Sequence, residues 1–216
     1  MTSSHRGRFL ALLCLLPFAV FFFIFQIAPL GWVAVHSLHA EGGWGLDNFS
    51  KIFASKFYLQ ALQRSLEISF YSSLFGILIA ILGAYSLRQV DSRLRDFVSA
   101  FANMTSNFSG VPLAFAFIIL LGFNGALTLL LKQIGLLEDF SIYSKSGLIL
   151  VYTYFQIPLG VLLLYPAFDA LREDWRESAA LLGASHWQYW RHIGLPVPVP
   201  ALLGTFVILL ANALGA

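Results

Sequence analysis

Long apolar runs without charge dominate this chain and leave it few ways to fold. From Phe9 to Val35 no Asp, Glu, Lys or Arg interrupts the sequence. A helix needs roughly 20 predominantly apolar residues to cross the hydrocarbon core of a bilayer. In lipid every backbone N–H and C=O must be satisfied internally, so such a run is expected to be helical. Four more stretches qualify: Ala61–Leu87, with one internal acid at Glu67; Phe97–Phe123, polar in its first half; Gly147–Phe168; and Val197–Ala216. The run Ala126–Leu131 reads as too brief to span and is flanked by Lys132. Only 11% of residues are charged, against about 25% in a typical soluble domain. The expected fold is therefore all-α, a polytopic bundle of about five membrane helices forming one domain over residues 9–216, with residues 1–8 outside it.

Charge placement orients the bundle. Five crossings that start inside put residues 1–8, 88–96 and 169–195 in the cytoplasm. Those segments hold Arg6, Arg8, Arg88, Arg93, Arg95, Arg172, Arg176 and Arg191, against Lys51, Lys56, Arg64, Lys132 and Lys145 on the other side. The excess follows the positive-inside rule and predicts a cytoplasmic N-terminus. The first run is about twice the length of a signal-peptide core and lacks a convincing cleavage site, so it is read as a retained helix. The outer loops, residues 36–60 and 124–146, are expected to carry short surface helices. The net charge of +2, without a basic run, gives no ground for nucleic-acid binding. Cys14 is the single cysteine, which excludes an intramolecular disulfide.

Within the helices two patterns stand out. Ser65, Ser69, Ser72, Gly76, Ala80 and Gly83 share one helical face. Small residues let helix backbones approach closely, either within the chain or against another subunit. Glu67 lies off that face. An acid inside a membrane segment is a functional candidate for substrate or ion, though it can also snorkel outward or pair with Arg64 three residues earlier. The third segment packs Asn103, Thr105, Ser106, Asn107, Ser109, Gly110 and Pro112 into its first half. Lipid does not tolerate so many polar groups, so they are expected to face protein or a water-filled cavity. Asn103 and Asn107, four apart, share a face. They are candidates for lining a translocation path, the alternative being hydrogen bonding between helices.

The longest polar interruption after residue 97 is Asp169–Leu195. Residues 171–182 have helical composition, with acids early, and Gly183 suits the position just past a helix end. Ser185 followed by Gln188 reads as a capping box opening a second short, aromatic helix over Trp187–Ile193. Leu195-Pro196 stops it. A helix, a glycine turn and a second helix form a knob far larger than a connection needs. At these residues the chain resembles the binding-protein-dependent ABC importer permeases. The family pattern is Glu-Ala-Ala, three residues, Gly, nine residues, Ile-x-Leu-Pro. Glu177, Ala179, Gly183, Ile193, Leu195 and Pro196 match it in position, Ala180 lies within the same helix, and Ser178 replaces the first alanine. Leu46-Asp-Asn-Phe49 adds a weaker similarity to the polyamine, iron and phosphonate group.

The resemblance implies a type I importer membrane domain that binds no cofactor itself. A dimer of cytoplasmic ABC ATPases would bind and hydrolyse ATP, a second permease subunit (same or different) would complete the path, and an extracytoplasmic substrate-binding protein would deliver the solute. Glu177, Ser178, Ala179, Ala180 and Gly183 would belong to the element that docks on the ATPase; Ile193, Leu195 and Pro196 would anchor it to the membrane domain. The implied location is the bacterial plasma membrane. That family also has a further helix after the one starting at Val197, so a fragment lacking a final helix is expected.

Other chemistries fit poorly. Ser185 and His186 sit in a charged loop, whereas an intramembrane serine protease needs nucleophile and base buried within hydrogen-bond reach. His186 and His192 lack the partners of a zinc site. No Gly-x4-Gly-Lys-Ser/Thr loop is present to hold ATP. A passive channel or scaffold protein without an ATPase remains the competing reading; it accounts for the helices but not for the spacing of the loop. The sequence carries no sign of the solute.

Overall fold

The computed structural model describes residues 15–40, 43–107, 111–135 and 141–215. Residues 1–8, Cys14, Ser109 and Gly110 lie outside these. The chain divides into two units, Met1–Leu62 and Gln63–Ala216.

In the first unit, α1 runs over Leu15–Ser37, long and apolar enough to cross a membrane. Pro29 has no N–H and would crowd the carbonyl four residues before it. The helix absorbs this with a π-helical turn over Phe23–Ile27, where the Ala28 N–H reaches Phe23 O. Two short strands follow, β1 (His39–Ala40) and β2 (Gly43–Trp44), antiparallel with His39 opposite Trp44. Then comes α2, Asp47–Ala54, one of the surface helices expected of this loop. The Asn48 side-chain amide donates to the carbonyls of Ser37 (3.2 Å) and His39 (3.0 Å), tying α2 back to the end of α1 and to β1.

The second unit holds most of α3, which spans Lys56–Arg88, then α4 (Ser92–Asn107), α5 (Val111–Leu121), α6 (Ala126–Gln133) and α7 (Lys145–Asp169). Its core is an apolar cluster of Ile77, Ala80, Ala84 and Leu87 from α3 with Val161, Leu164 and Phe168 from α7, joined by Leu171 and Leu209. The small-residue face of α3 lies against α7. A Cβ on Gly76 would sit 2.6 Å from Gln156 Cβ, and one on Gly83 would sit 2.9 Å from Val161 Cγ2. Reciprocally, a Cβ on Gly160 would come within 2.7 Å of Ala80 Cβ. From Ser69 to Gly83 the face is therefore intramolecular packing, of the two uses the sequence left open.

Span boundaries differ from expectation in two places. The third segment, expected as one helix over 97–123, comprises α4 and α5, and the stretch apolar and long enough to cross is Pro112–Gln133. The polar residues of α4 lower its hydropathy, and the run Ala126–Leu131, judged too short alone, extends α5 through α6. The last helix, α10 (Val199–Gly215), has 17 residues. It reaches spanning length only together with His186–Gly194, from which it is bent by 59°. Pro196, Pro198 and Pro200 interrupt the backbone ladder there. The helices long enough to cross thus number four, or five with this bent pair, among the described residues.

Candidate coupling loop and translocation path

Between α7 and α10 the loop folds as two short helices. The first, α8, covers Glu173–Leu181, with Glu173 and Asp174 in its first turn, where carboxylates complement the helix dipole. Glu173 accepts from Arg88 of α3 at 3.2 Å and pairs with Arg176, while Arg172 donates to Asp174 at 2.6 Å. At the other end Gly183 takes φ +78°. Its N–H donates to Ala180 O (3.0 Å), and the Ala184 N–H donates to Ala179 O (2.9 Å). This pair of bonds is the Schellman arrangement, which a left-handed residue makes possible.

The second helix starts at His186 and is closed by a complete capping box: Ser185 Oγ accepts from the Gln188 N–H, and Gln188 Oε1 accepts from the Ser185 N–H at 2.7 Å. This helix, α9, is α-helical over His186–Tyr189 and continues as a π-helical turn over Trp190–Gly194. Gly194 makes room for the Trp190 ring, which would lie 2.5 Å from any Cβ there. That ring packs edge-on to Tyr85 of α3 (5.8 Å between centroids), and Tyr85 packs on Phe168 of α7 (6.2 Å).

The residues expected to act here separate by burial. Glu177, Ser178, Ala180 and Gly183 are exposed on the outer side of the knob, and Ala179 is buried. Leu181 and Leu182, adjacent at the tip, are 89% and 88% exposed. Of the residues expected to anchor the loop, Ile193 is half-buried, while Leu195 is 49% exposed and Pro196 is exposed in the single subunit. Leu171, Tyr189 and Gly194 of the loop, and Pro198 just after it, are buried.

On the path side, Asn103 and Asn107 are exposed. Their hydrogen bonds stay within α4: Asn107 Nδ2 donates to Asn103 O at 2.8 Å and to Asn103 Oδ1 at 3.1 Å, and Ser106 donates to Asn103 O at 2.9 Å. Bonding between helices, the alternative reading of these residues, is not what the described residues show. Glu67 is paired, though not with Arg64: it accepts from Lys145 at the start of α7 and from Gln63 at 2.9 Å. Lys145 Nζ also lies 5.9 Å from the centroid of the Tyr71 ring.

A cavity of about 870 Å³ opens between α5, α7, the residues preceding α7 and the end of α10, with Phe117, Tyr143, Tyr152, Phe155 and Asn212 among its walls and, among the described residues, no charged side chain lining it. Gln156 stands at its edge, 1% exposed. Its Nε2 donates to Leu209 O of α10 (2.6 Å) and to Ser73 Oγ of α3 (3.2 Å), while its Oε1 has no partner. In the sequence, the only mark of Gln156 is that it is a lone amide within an otherwise apolar run.

The chain has relatives on both counts, sequence and shape. It is 26% identical over 230 residues to the sn-glycerol-3-phosphate transport system permease protein UgpA of Escherichia coli O6:K15:H31 (98% of this chain, 75% of that protein). It is also 26% identical over 165 residues to the thiamine transport system permease protein ThiP of Escherichia coli strain K12 (73% and 30%). To the putative 2-aminoethylphosphonate transport system permease protein PhnV of Salmonella typhimurium strain LT2 it is 25% identical over 208 residues (91% and 71%). Its fold matches the crystal structure of a bacterial ABC transporter involved in importing the acidic polysaccharide alginate, with a TM-score of 0.73 and 25% identity over 99% of this chain and 76% of that one. The crystal structure of a bacterial alginate ABC transporter in complex with an alginate pentasaccharide-bound periplasmic protein matches with a TM-score of 0.70 and 25% identity over 96% of this chain and 73% of that one. A sequence profile for the binding-protein-dependent transport system inner membrane component matches residues 72–216, from the middle of α3 through the loop and α10. The chain belongs to that family, the membrane-spanning permease subunits of binding-protein-dependent ABC importers.

Proposed function

We propose that residues 169–195 are the element through which this permease is driven, with α8 and its glycine turn docking on a separate cytoplasmic ABC ATPase. The observation that carries the reading is the pair Leu181 and Leu182, 89% and 88% exposed at the end of a helix held by an ion pair to α3 and terminated by Gly183. Two fully exposed leucines on a rigid, otherwise charged knob form an anchor of the kind that fills an apolar pocket on a partner. Glu177 and Ser178 flank them as a polar rim, with the small Ala180 between. In this reading the chain is non-catalytic and binds no ATP; the ATPase dimer supplies hydrolysis. A second permease subunit completes the path, and an extracytoplasmic binding protein delivers the solute. The chain lies in the bacterial plasma membrane with its N-terminus in the cytoplasm.

Asn103 and Asn107, exposed in the single subunit, then face the path or the second permease subunit. Glu67 serves as a clamp between α3 and α7, because its charge is already met by Lys145. The test is co-purification in mild detergent. Wild type retains an ATP-hydrolysing subunit. Leu181→Asp/Leu182→Asp inserts normally and loses it, with affinity lowered by at least about 100-fold, as expected where hot-spot side chains each contribute more than about 1–2 kcal/mol. Undiminished co-purification of the double variant rules out docking through this tip.

A further inference from the structure

We propose that Gln156 is the positioning residue that makes α10 move with α3 and α7, so that the two helices flanking the coupling loop transmit one motion. The loop leaves α7 at Asp169 and re-enters the bundle at α10, and 59° separates α10 from the helix before it. A push on the loop therefore reaches two helices, and a productive stroke needs them held to each other. In lipid there is no hydrophobic force between helices; close packing and interhelical hydrogen bonds do that work.

Gln156 supplies both. Both Nε2 protons are used, one on Leu209 O of α10 at 2.6 Å and one on Ser73 Oγ of α3 at 3.2 Å. Among the described residues this is the one side-chain hydrogen bond from α10 to α3 or α7. The absence of a side chain at Gly76 lets the Gln156 stem approach α3, where a Cβ would lie 2.6 Å away. Below it α3 and α7 stay joined independently by the Tyr85–Phe168 contact, while Arg88 ties α3 to α8 through Glu173; toward the start of α7 they are joined by Glu67 and Lys145. The α3–α7 pair is thus fastened near both ends as well as at Gln156, whereas α10 has, beside the edge-on Phe70–Phe206 contact with α3 (5.9 Å between centroids), only the Gln156 hydrogen bond among the described residues. Meanwhile the buried Oε1 has no partner. A leucine of similar size would fill the space without stranding an acceptor, so what the amide adds is the connection.

The proposal rests on the coupling-loop reading only for the source of the motion. The test uses the permease with its ATPase in lipid nanodiscs, with Cys14→Ser and spin labels at exposed positions. Leu82→Cys with Leu203→Cys reports α3–α10, and Leu82→Cys with Leu150→Cys reports α3–α7; the three leucines are 68%, 65% and 47% exposed. With Gln156 present both pairs give one narrow distance distribution, and the α3–α10 distribution shifts as a single population on trapping with ATP and vanadate. Gln156→Leu is expected to broaden α3–α10 or split it into two populations while α3–α7 stays narrow. Gln156→Asn, one methylene shorter and able to reach only one partner, gives the same pattern in weaker form and stands in if the leucine variant fails to insert. Unchanged α3–α10 width overturns the proposal. So does broadening of both pairs, which is general loosening of the bundle. The widths are read without nucleotide as well, so a failure of ATPase docking counts against the loop reading and leaves this one decided on its own result.

Discussion

Gly183 shows how much of the loop between α7 and α10 is decided by a single backbone angle. Its φ of +78° lies in the left-handed region, and no neighbouring atom comes within 4 Å of where a Cβ would be. Any cost of substitution is therefore conformational rather than steric crowding. For a β-branched residue that strain is about 1–2 kcal/mol, set against the two bonds that end α8. Gly183→Val should detach Leu181 and Leu182 from their fixed angle and lower ATPase co-purification about tenfold. Gly183→Asn, which tolerates this region, should stay close to wild type. Equal loss in both variants would instead point to a direct contact at the glycine. The sequence placed Gly183 correctly because a helix C-terminus is a local problem, solved within five residues. Glu67 is the contrary case. Its neighbours in sequence offered Arg64, but its partner Lys145 lies at the start of another helix, and nothing local encodes that choice.

Among the helices, α3 and α7 meet at a seam with no room for an added side chain at Gly76 or Gly160. Gly76 faces the Gln156 stem and Gly160 faces Ala80, so neither backbone can withdraw without opening a gap along the whole seam. Gly76→Leu should destabilise the permease by about 3 kcal/mol or more, beyond ordinary overpacking because the neighbour is a buried stem with no room to turn. Gly204→Ala on α10, with nothing within 4 Å, should be neutral or slightly stabilising, by about 1 kcal/mol or less. Thermal unfolding followed by size-exclusion chromatography in detergent separates the two, and equal melting points would mean that the seam is not closely packed. The four- and three-residue spacing on α3 was readable as a face; which helix it meets was not, since periodicity specifies a direction from the axis and not a partner. The third segment was misjudged in extent for a related reason. Hydropathy sums cannot tell a polar stretch at one end of a span from a polar helix that precedes it.

For the molecule as a whole, orientation is the property on which the proposed coupling depends, because a knob that docks on a cytoplasmic ATPase must lie on the cytoplasmic side. A membrane-impermeant maleimide should label Leu182→Cys in inside-out vesicles and spare it in intact cells, in a Cys14→Ser background. Phe57→Cys, at a position 73% exposed at the start of α3, should show the reverse. Labelling of both from one side would invert or break the topology deduced from the arginines. The family match over residues 72–216 and the likeness to the alginate importer decide against a passive channel; they leave the solute open, and the relatives' names span phosphate esters, a vitamin and phosphonates.

The sequence by itself determined that this chain is a helical membrane protein, and it placed the glycine turn and the capping box of the loop between α7 and α10. Each follows from short-range physics: transfer of apolar residues into lipid, unsatisfied groups at helix ends, and one sterically restricted angle. Only the tertiary structure decided that α3 pairs with α7, that Glu67 meets Lys145, that Leu171, Tyr189, Gly194 and Pro198 are buried, and that Gln156 joins three helices. Those contacts link residues tens of positions apart. Their energies depend on which surfaces meet, and an apolar helix in lipid presents similar hydrophobicity on every side.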